Sequence, residues 1–150
     1  MTRDDLRQVA ALERAVFAGE AWPLNAFKEL LAAFSHAKPA RGAMWVVLDC
    51  QTREIVGYAG IEISALGGEM DIINIAVAPA HRQRGVGRLL IERIVHRCRL
   101  QGVPLLWLRV RASNRGAQRF YQRMGFRMRG RFQGYYVDPD EPAVIMAMDV

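Results

Sequence analysis

Apolar residues first recur at helical spacing, then at strand spacing, and then alternate between the two. Thr2-Arg3-Asp4-Asp5 reads as a helix start, because Thr2 is a capping residue and acidic side chains in a first turn complement the helix dipole. Leu6, Val9, Ala10, Val16 and Phe17 then follow the helical period up to Gly19. A second helix is expected from about Asn25 to Ser35, with Phe27, Leu30, Leu31 and Phe34 on one face, and Lys38 to Gly42 reads as a turn. Ala43 to Leu48 and Ile55 to Ser64 are rich in Val, Ile, Trp and Tyr and predict strands, joined by a turn at Asp49 to Arg53. Gly67-Gly68 is a hairpin signal. Met70 to Val77 predicts a third strand, whose near-continuous apolarity implies cover on both faces.

From Ala78 onward strands and helices alternate. Pro79 breaks the strand, and a basic loop from Arg82 to Gly87 opens a helix running to about Leu100. Val86, Leu90, Ile94 and Cys98 form its apolar stripe, and Gly102 ends it. Leu105 to Val110 predicts a strand. Asn114 starts a helix with Ala117, Phe120, Tyr121 and Met124 at i, i+3, i+4 and i+7, and Gly125 stops it. Phe126 to Phe132 and Val144 to Met148 predict closing strands, separated by a polar loop from Gln133 to Pro142. No internal repeat or linker interrupts the pattern, so residues 1–150 are expected to form a single α/β domain.

Composition narrows the function classes. Half of the 150 residues are apolar (51%) and 24% are charged, which excludes a disordered or collagenous chain. No run approaches eighteen apolar residues, so no membrane partner is expected, and the first residues have no apolar signal core. Cys50 and Cys98 sit far apart with no CxxC or Cys/His spacing, and the histidines fit no triad. Neither a disulfide nor a metal site is expected, and a reducing cytoplasm suits such a chain. The net charge is +6, with arginine far outnumbering lysine, a surface that suits a polyanionic ligand as well as it suits genome bias.

The positions of the arginines carry more. Arg82, Arg84 and Arg88 surround Gly85 and Gly87 at the point where a strand feeds a helix. Amides at a helix start lack intrahelical acceptors and carry the positive dipole end, so they bind phosphate, and glycines let the backbone approach it. The loop is neither GxxxxGK[ST] nor GxGxxG.

Arg82-Gln83-Arg84-Gly85-Val86-Gly87 matches the [QR]-x-x-G-x-[GA] pyrophosphate loop of the GNAT superfamily of acetyl-CoA-dependent N-acetyltransferases, and the chain resembles that superfamily over roughly residues 2–148. Within it the pattern is similar to the RimI-like ribosomal-protein-alanine N-acetyltransferases: Asn74 to Val77, Leu106-Trp107-Leu108, Val110 to Asn114, Tyr121, Gly125-Phe126, Tyr135-Tyr136 and Ala143 to Met146 fall in family order. The resemblance implies a single-domain α/β fold with a mixed, mostly antiparallel twisted sheet flanked by helices. The superfamily's usual first strand precedes the first helix. Here the helix signal begins almost at Met1, which leaves the strand at Ala43 as a possible exposed edge.

The same resemblance implies the site. Arg82, Gln83, Arg84, Gly85, Val86, Gly87 and Arg88 would hold the diphosphate of acetyl-CoA, the cosubstrate. The backbone of Ile75, Ala76 and Val77 would pair with the pantetheine arm, and a splay against the strand through Leu108 would admit the acetyl group. Asn114 would cap its helix and touch the cofactor, and Tyr121 would also contact the cofactor and be the general acid for the departing thiolate. Trp22, Tyr135 and Tyr136 would wall the acceptor groove. RimI-like enzymes carry a glutamate base one residue before Val110, where this chain has Arg109, and a guanidinium accepts no proton at neutral pH. In other branches of the superfamily a carboxylate three residues before the Asn74 position is the base, which implies Asp71 here, ahead of Glu69 and Glu62, with water as the alternative proton acceptor. Arg109 would contact the acceptor. An α-amine needs less help from a base than lysine does. Its pKa of about 7.7–8.0 leaves roughly 10–15% neutral at pH 7, against about 0.04% for a lysine near 10.4. The implied activity is acetyl transfer to a protein N-terminal α-amine, perhaps a ribosomal protein's, by direct attack in a ternary complex. A small-molecule or lysine acceptor and a non-catalytic CoA- or RNA-binding module are the alternatives. Nucleic acid is not the expected partner, and a monomer or weak dimer is the expected state.

Overall fold

The computed structural model describes residues 1–36, 41–64 and 68–150, with the side chain of His36 also outside the description. Of the expected turn from Lys38 to Gly42, Lys38, Pro39 and Ala40 lie outside the described residues, as does the hairpin residue Gly67, while Gly42 already belongs to the first strand. Helix α1 runs Leu6–Phe17, followed by a 3₁₀ turn Ala18–Glu20 and helix α2, Leu24–His36. Strands β1 (Gly42–Leu48), β2 (Ile55–Ile63) and β3 (Glu69–Val77) come next. Then come α3 (Val86–Leu100), β4 (Leu105–Arg111), α4 (Arg115–Arg123), β5 (Arg127–Val137) and β6 (Asp140–Asp149). Among the described residues no helix is long and apolar enough to cross a membrane.

One six-stranded sheet has the order β1-β2-β3-β4-β6-β5. Every neighbouring pair is antiparallel except β3–β4, which is parallel, so the mixed, mostly antiparallel sheet expected above is what forms. β1 is an edge, and the amino group of Met1 donates a hydrogen bond to the carbonyl of Met44 on it, at 3.2 Å.

The two faces carry separate cores, and β3 contributes to both. On one face Met70 and Ile72 join Leu90, Ile91 and Ile94 of α3, Leu106, Leu108 and Val110 of β4, and Tyr121 of α4. On the other, Ala76 joins Val9 and Ala10 of α1, Phe27 and Phe34 of α2, and Tyr58 of β2. The alternation along β3 slips because Ile73 is an extra residue: Gly60 pairs with Asn74, while its neighbour Ile61 pairs with Ile72. Such a bulge bends a strand and frees backbone groups. Gly60 accommodates it, since a Cβ there would sit 3.2 Å from the Ile73 side chain.

Two expectations are corrected. The segment from Gln133 to Pro142 is not a loop. β5 continues to Val137 and β6 starts at Asp140, with Tyr136 opposite Glu141. The strands outrun the core here, so neither face demands apolar residues, and a register shift between Phe132 and Tyr136, with Gly134 at φ +61°, disguises the ladder. At the N-terminus, α1 begins at Leu6 rather than at the Thr2 cap. Asp5 accepts from both the amide (2.6 Å) and hydroxyl (3.2 Å) of Thr2, closing a turn before the helix.

Candidate active site

The parallel ladder between β3 and β4 stops early. It pairs Glu69–Ile72 with Leu105–Leu108, and beyond that point both strands continue unpaired toward each other. Their divergence opens a cleft of about 1150 Å³ that reaches from the α3 N-terminus to Glu13 and Phe17 of α1 and to Tyr135 and Tyr136 of β5. Its lining contains Ile75, Ala76, Val77, Arg82, Gln83, Gly85, Gly87, Arg88, Asn114 and Tyr121. It also contains Trp22, Asp71, Arg109, Tyr135 and Tyr136, so residues spread across the chain are brought to one site. Of the expected site residues, Arg84 and Val86 are not in the lining. Val86 packs into the core, where a Cβ on Gly57 would sit 2.7 Å from its Cγ1.

At one end the site is made of main chain. Gln83 (φ +60°) and Gly85 (φ +86°) are both left-handed, which winds the loop tightly before α3. Gly85 is the N-cap and has no side-chain cap. The first intrahelical bond runs from the amide of Leu89 to the carbonyl of Gly85 at 2.9 Å, so the amides of the first turn have no acceptor inside the helix. An uncapped helix start opening onto a cleft, with Arg82 and Arg88 beside it, fits a diphosphate. Asn114 caps α4, its Oδ1 accepting from the amide of Ala117 at 3.0 Å.

Tyr121 lies at the middle, where the strands diverge. Its ring is held edge-on between Phe120 and Phe126, with centroids at 5.2 and 5.6 Å. Burial, with Tyr136 adding to it, pushes its phenol up, so it keeps its proton at neutral pH.

The other end is made of side-chain charge. Asp71 Oδ2 accepts from Arg109 Nη1, while Asp71 Oδ1 is buried without a hydrogen-bond partner. Burial raises the Asp71 pKa against the opposing pull of Arg109. Burial works against the charge on Arg109, but Asp71, Tyr135 and Tyr136 outweigh it and raise its pKa. Arg109 also stands 5.9 Å from the Tyr135 ring centroid. Trp22 packs on Phe27 with centroids 5.7 Å apart, so the residue that walls the groove also anchors α2. Glu62 lines the cleft, and Glu69 only a smaller adjoining pocket.

Two groups of residues were missed by the sequence reading. Glu13, only 1% exposed, accepts from the Tyr58 hydroxyl, from Asn74 Nδ2 at 3.1 Å and from the Trp22 amide at 3.0 Å. Burial and this carboxylate push the Tyr58 phenol up. The signal was available: Glu13 falls on the apolar face of α1, four residues after Val9 and four before Phe17. The second group centres on Arg111, which pairs with Glu20 before α2 and with Glu141 on β6 (2.7 Å), and lies 4.1 Å from the Tyr136 centroid. Its partners are far away in sequence, and no local pattern announces them.

Residues 6–126 match the Acetyltransferase (GNAT) family, and the chain belongs to that family. Among relatives, it is 39% identical over 84 residues to the "[Ribosomal protein bS18]-alanine N-acetyltransferase" of Escherichia coli K12, a match spanning 55% of this chain and 57% of that protein. It is 34% identical to "N-alpha-acetyltransferase RimI" of Mycobacterium tuberculosis, over 99% of this chain and 89% of that one. The crystal structure of the ribosomal-protein-S18-alanine N-acetyltransferase from Escherichia coli superposes with a TM-score of 0.83 at 27% identity, covering 100% of this chain and 90% of that chain.

Proposed function

We propose that the protein transfers an acetyl group from acetyl-CoA to the N-terminal α-amine of a protein, with an alanine-starting ribosomal protein as the acceptor class. The observation that carries this reading is the splay after Ile72 and Leu108, which joins the uncapped start of α3 to Tyr121 and to the charged groove. The names of the bacterial relatives support the acceptor class.

Acetyl-CoA supplies an activated thioester. Amides at the start of α3, with Arg82 and Arg88, hold its diphosphate, and β3 from Ile73 to Val77 offers backbone groups with no β4 ladder to the extended arm. Tyr121, protonated at neutral pH, donates to the departing sulfur. Arg109 cannot serve as base, so the amine's own neutral fraction begins the attack, and the proton passes to solvent or to Oδ1 of Asp71, whose Oδ2 is held by Arg109. Tyr135, Tyr136 and Trp22 border the acceptor.

The test is acetyl transfer to an alanine-starting peptide, to its N-blocked, lysine-containing counterpart and to a panel of polyamines and aminoglycosides. The free α-amine is the expected best substrate, and Tyr121→Phe is expected to lower kcat about a hundredfold with CoA affinity unchanged. Preference for the blocked peptide or a small amine overturns the acceptor assignment. Tight CoA binding without any turnover overturns the enzymatic reading.

A further inference from the structure

One buried acid at the cleft has no part in the steps above. Glu13 is 1% exposed, and among the described residues it makes no salt bridge. The carboxylate is met only by neutral donors. Burying it without a cation costs desolvation that an amide or an apolar side chain would avoid, and its hydrogen bonds offset part of that cost. Those bonds are not equivalent. The Tyr58 hydroxyl, on β2, donates to Oε2, while the Trp22 amide at 3.0 Å and Asn74 Nδ2 at 3.1 Å both donate to Oε1.

The two donors on Oε1 belong to different walls of the cleft. Asn74 follows the bulge at Ile73, in the stretch of β3 that has no β4 partner and that is assigned above to the arm of the donor. Trp22 lies in the connection between α1 and α2, and its side borders the acceptor groove. One oxygen atom thus ties the donor strand to the acceptor wall. The connection needs such an anchor, because Ala18, which opens it, is left-handed (φ +44°), a conformation that a residue with a Cβ keeps only where its surroundings impose it. Glu20, in the same connection, bonds Arg111, but in contact with solvent, where an ion pair holds a chain weakly.

We propose that Glu13 is a positioning residue for acetyl transfer, acting through Trp22 and Asn74 to set the gap in which the acceptor amine meets the donor. The proposal rests on the acetyl-transfer reading above and adds to it a residue that works through its neighbours. Steady-state acetylation of an alanine-starting peptide tests it, with CoA calorimetry and urea denaturation of every variant. Glu13→Leu, which removes the hydrogen-bond acceptor but keeps the bulk, is expected to raise KM for the peptide about tenfold, with kcat and CoA affinity changed less than about threefold. Glu13→Gln keeps an oxygen for Trp22 and Asn74 and turns its amide to the Tyr58 oxygen, so KM is expected within about twofold of native. Tyr58→Phe cuts only the Oε2 bond and is expected to cost stability while leaving KM within about twofold. Should Glu13→Leu not fold, Glu13→Asp, too short to reach all three donors, carries the test with an expected rise in KM of about fivefold. An unmoved KM in whichever of these two variants folds overturns the positioning role. So does CoA affinity that falls as far as KM rises, or a KM that tracks lost stability through Tyr58→Phe as well, since both mark a purely structural acid. Glu13→Gln as impaired as Glu13→Leu overturns it too, because the contacts to Oε1 would then not be the active property. Native protein that acetylates no free α-amine overturns the transfer reading itself, and this role with it.

Discussion

The two ends of the cleft are built by different means. The α3 end works through backbone: a helix start with no side-chain cap, two left-handed residues, and a strand segment that has lost its neighbour. All of this comes from fewer than twenty consecutive residues. The groove end works through side chains drawn from distant parts of the chain, with Arg111 bonding Glu20 across 91 positions and Glu13 bonding Asn74 across 61. A backbone site tolerates changes in side-chain identity but little change in conformation. A side-chain network tolerates modest backbone movement but not the loss of a member.

That contrast can be broken experimentally, and the largest effect is expected in the network. Glu13→Ala would leave the Tyr58 hydroxyl, the Asn74 amide group and the Trp22 N–H without their acceptor in a buried setting. A loss of about 3–5 kcal/mol in urea denaturation is expected. A loss below about 1 kcal/mol would mean that the cluster is not integral to the fold. At the other end, Gly87→Val pushes a branched side chain toward Phe120 and separates the start of α3 from α4. CoA affinity by calorimetry is expected to fall about tenfold or more, with a smaller stability cost of about 1–2 kcal/mol. Unchanged affinity would mean that the backbone there is not the binding element.

The smallest effect concerns pH. Arg111 first, then the Ser113 amide, lower the Glu141 pKa below the usual glutamate value. A carboxylate depressed on folding contributes stability that is present above its unfolded pKa and is lost as pH falls through the folded one. Carbonyl-carbon NMR titration should therefore show Glu141 protonating below the ordinary glutamate range, with the β5–β6 tip loosening only there. An ordinary titration would show that the Arg111 contact is not maintained in solution.

The same contrast explains what the sequence disclosed. The helices, most of the strands and the glycine-containing turn before α3 are local patterns of period, cap and glycine, and were read within a few residues of their true limits. Asn114 as a cap is a clear example, because the side chain and the amide it accepts from are three residues apart. The Arg111 cluster and the Asp71–Arg109 pair depend on which strands become neighbours, and that is decided by the crossover between β3 and β4 rather than by any nearby residue. The tip of the β5–β6 hairpin was misread for a related reason. Its residues answer to the cleft they border rather than to a hydrophobic layer.

The single extra residue at Ile73 has a wider effect than its local bend. Before it, Met70 and Ile72 turn toward α3; after it, Asn74 and Ala76 turn toward α1. The bulge therefore acts as a phase shifter, letting one strand present its acid to the groove upstream and its amide to Glu13 downstream. Removing Ile73 would restore an unbroken ladder, with Asn74 and Ala76 still facing α1. A strand that kept Ile73 but lost the bulge would instead swing every later side chain to the opposite side and dismantle both layers of packing at once.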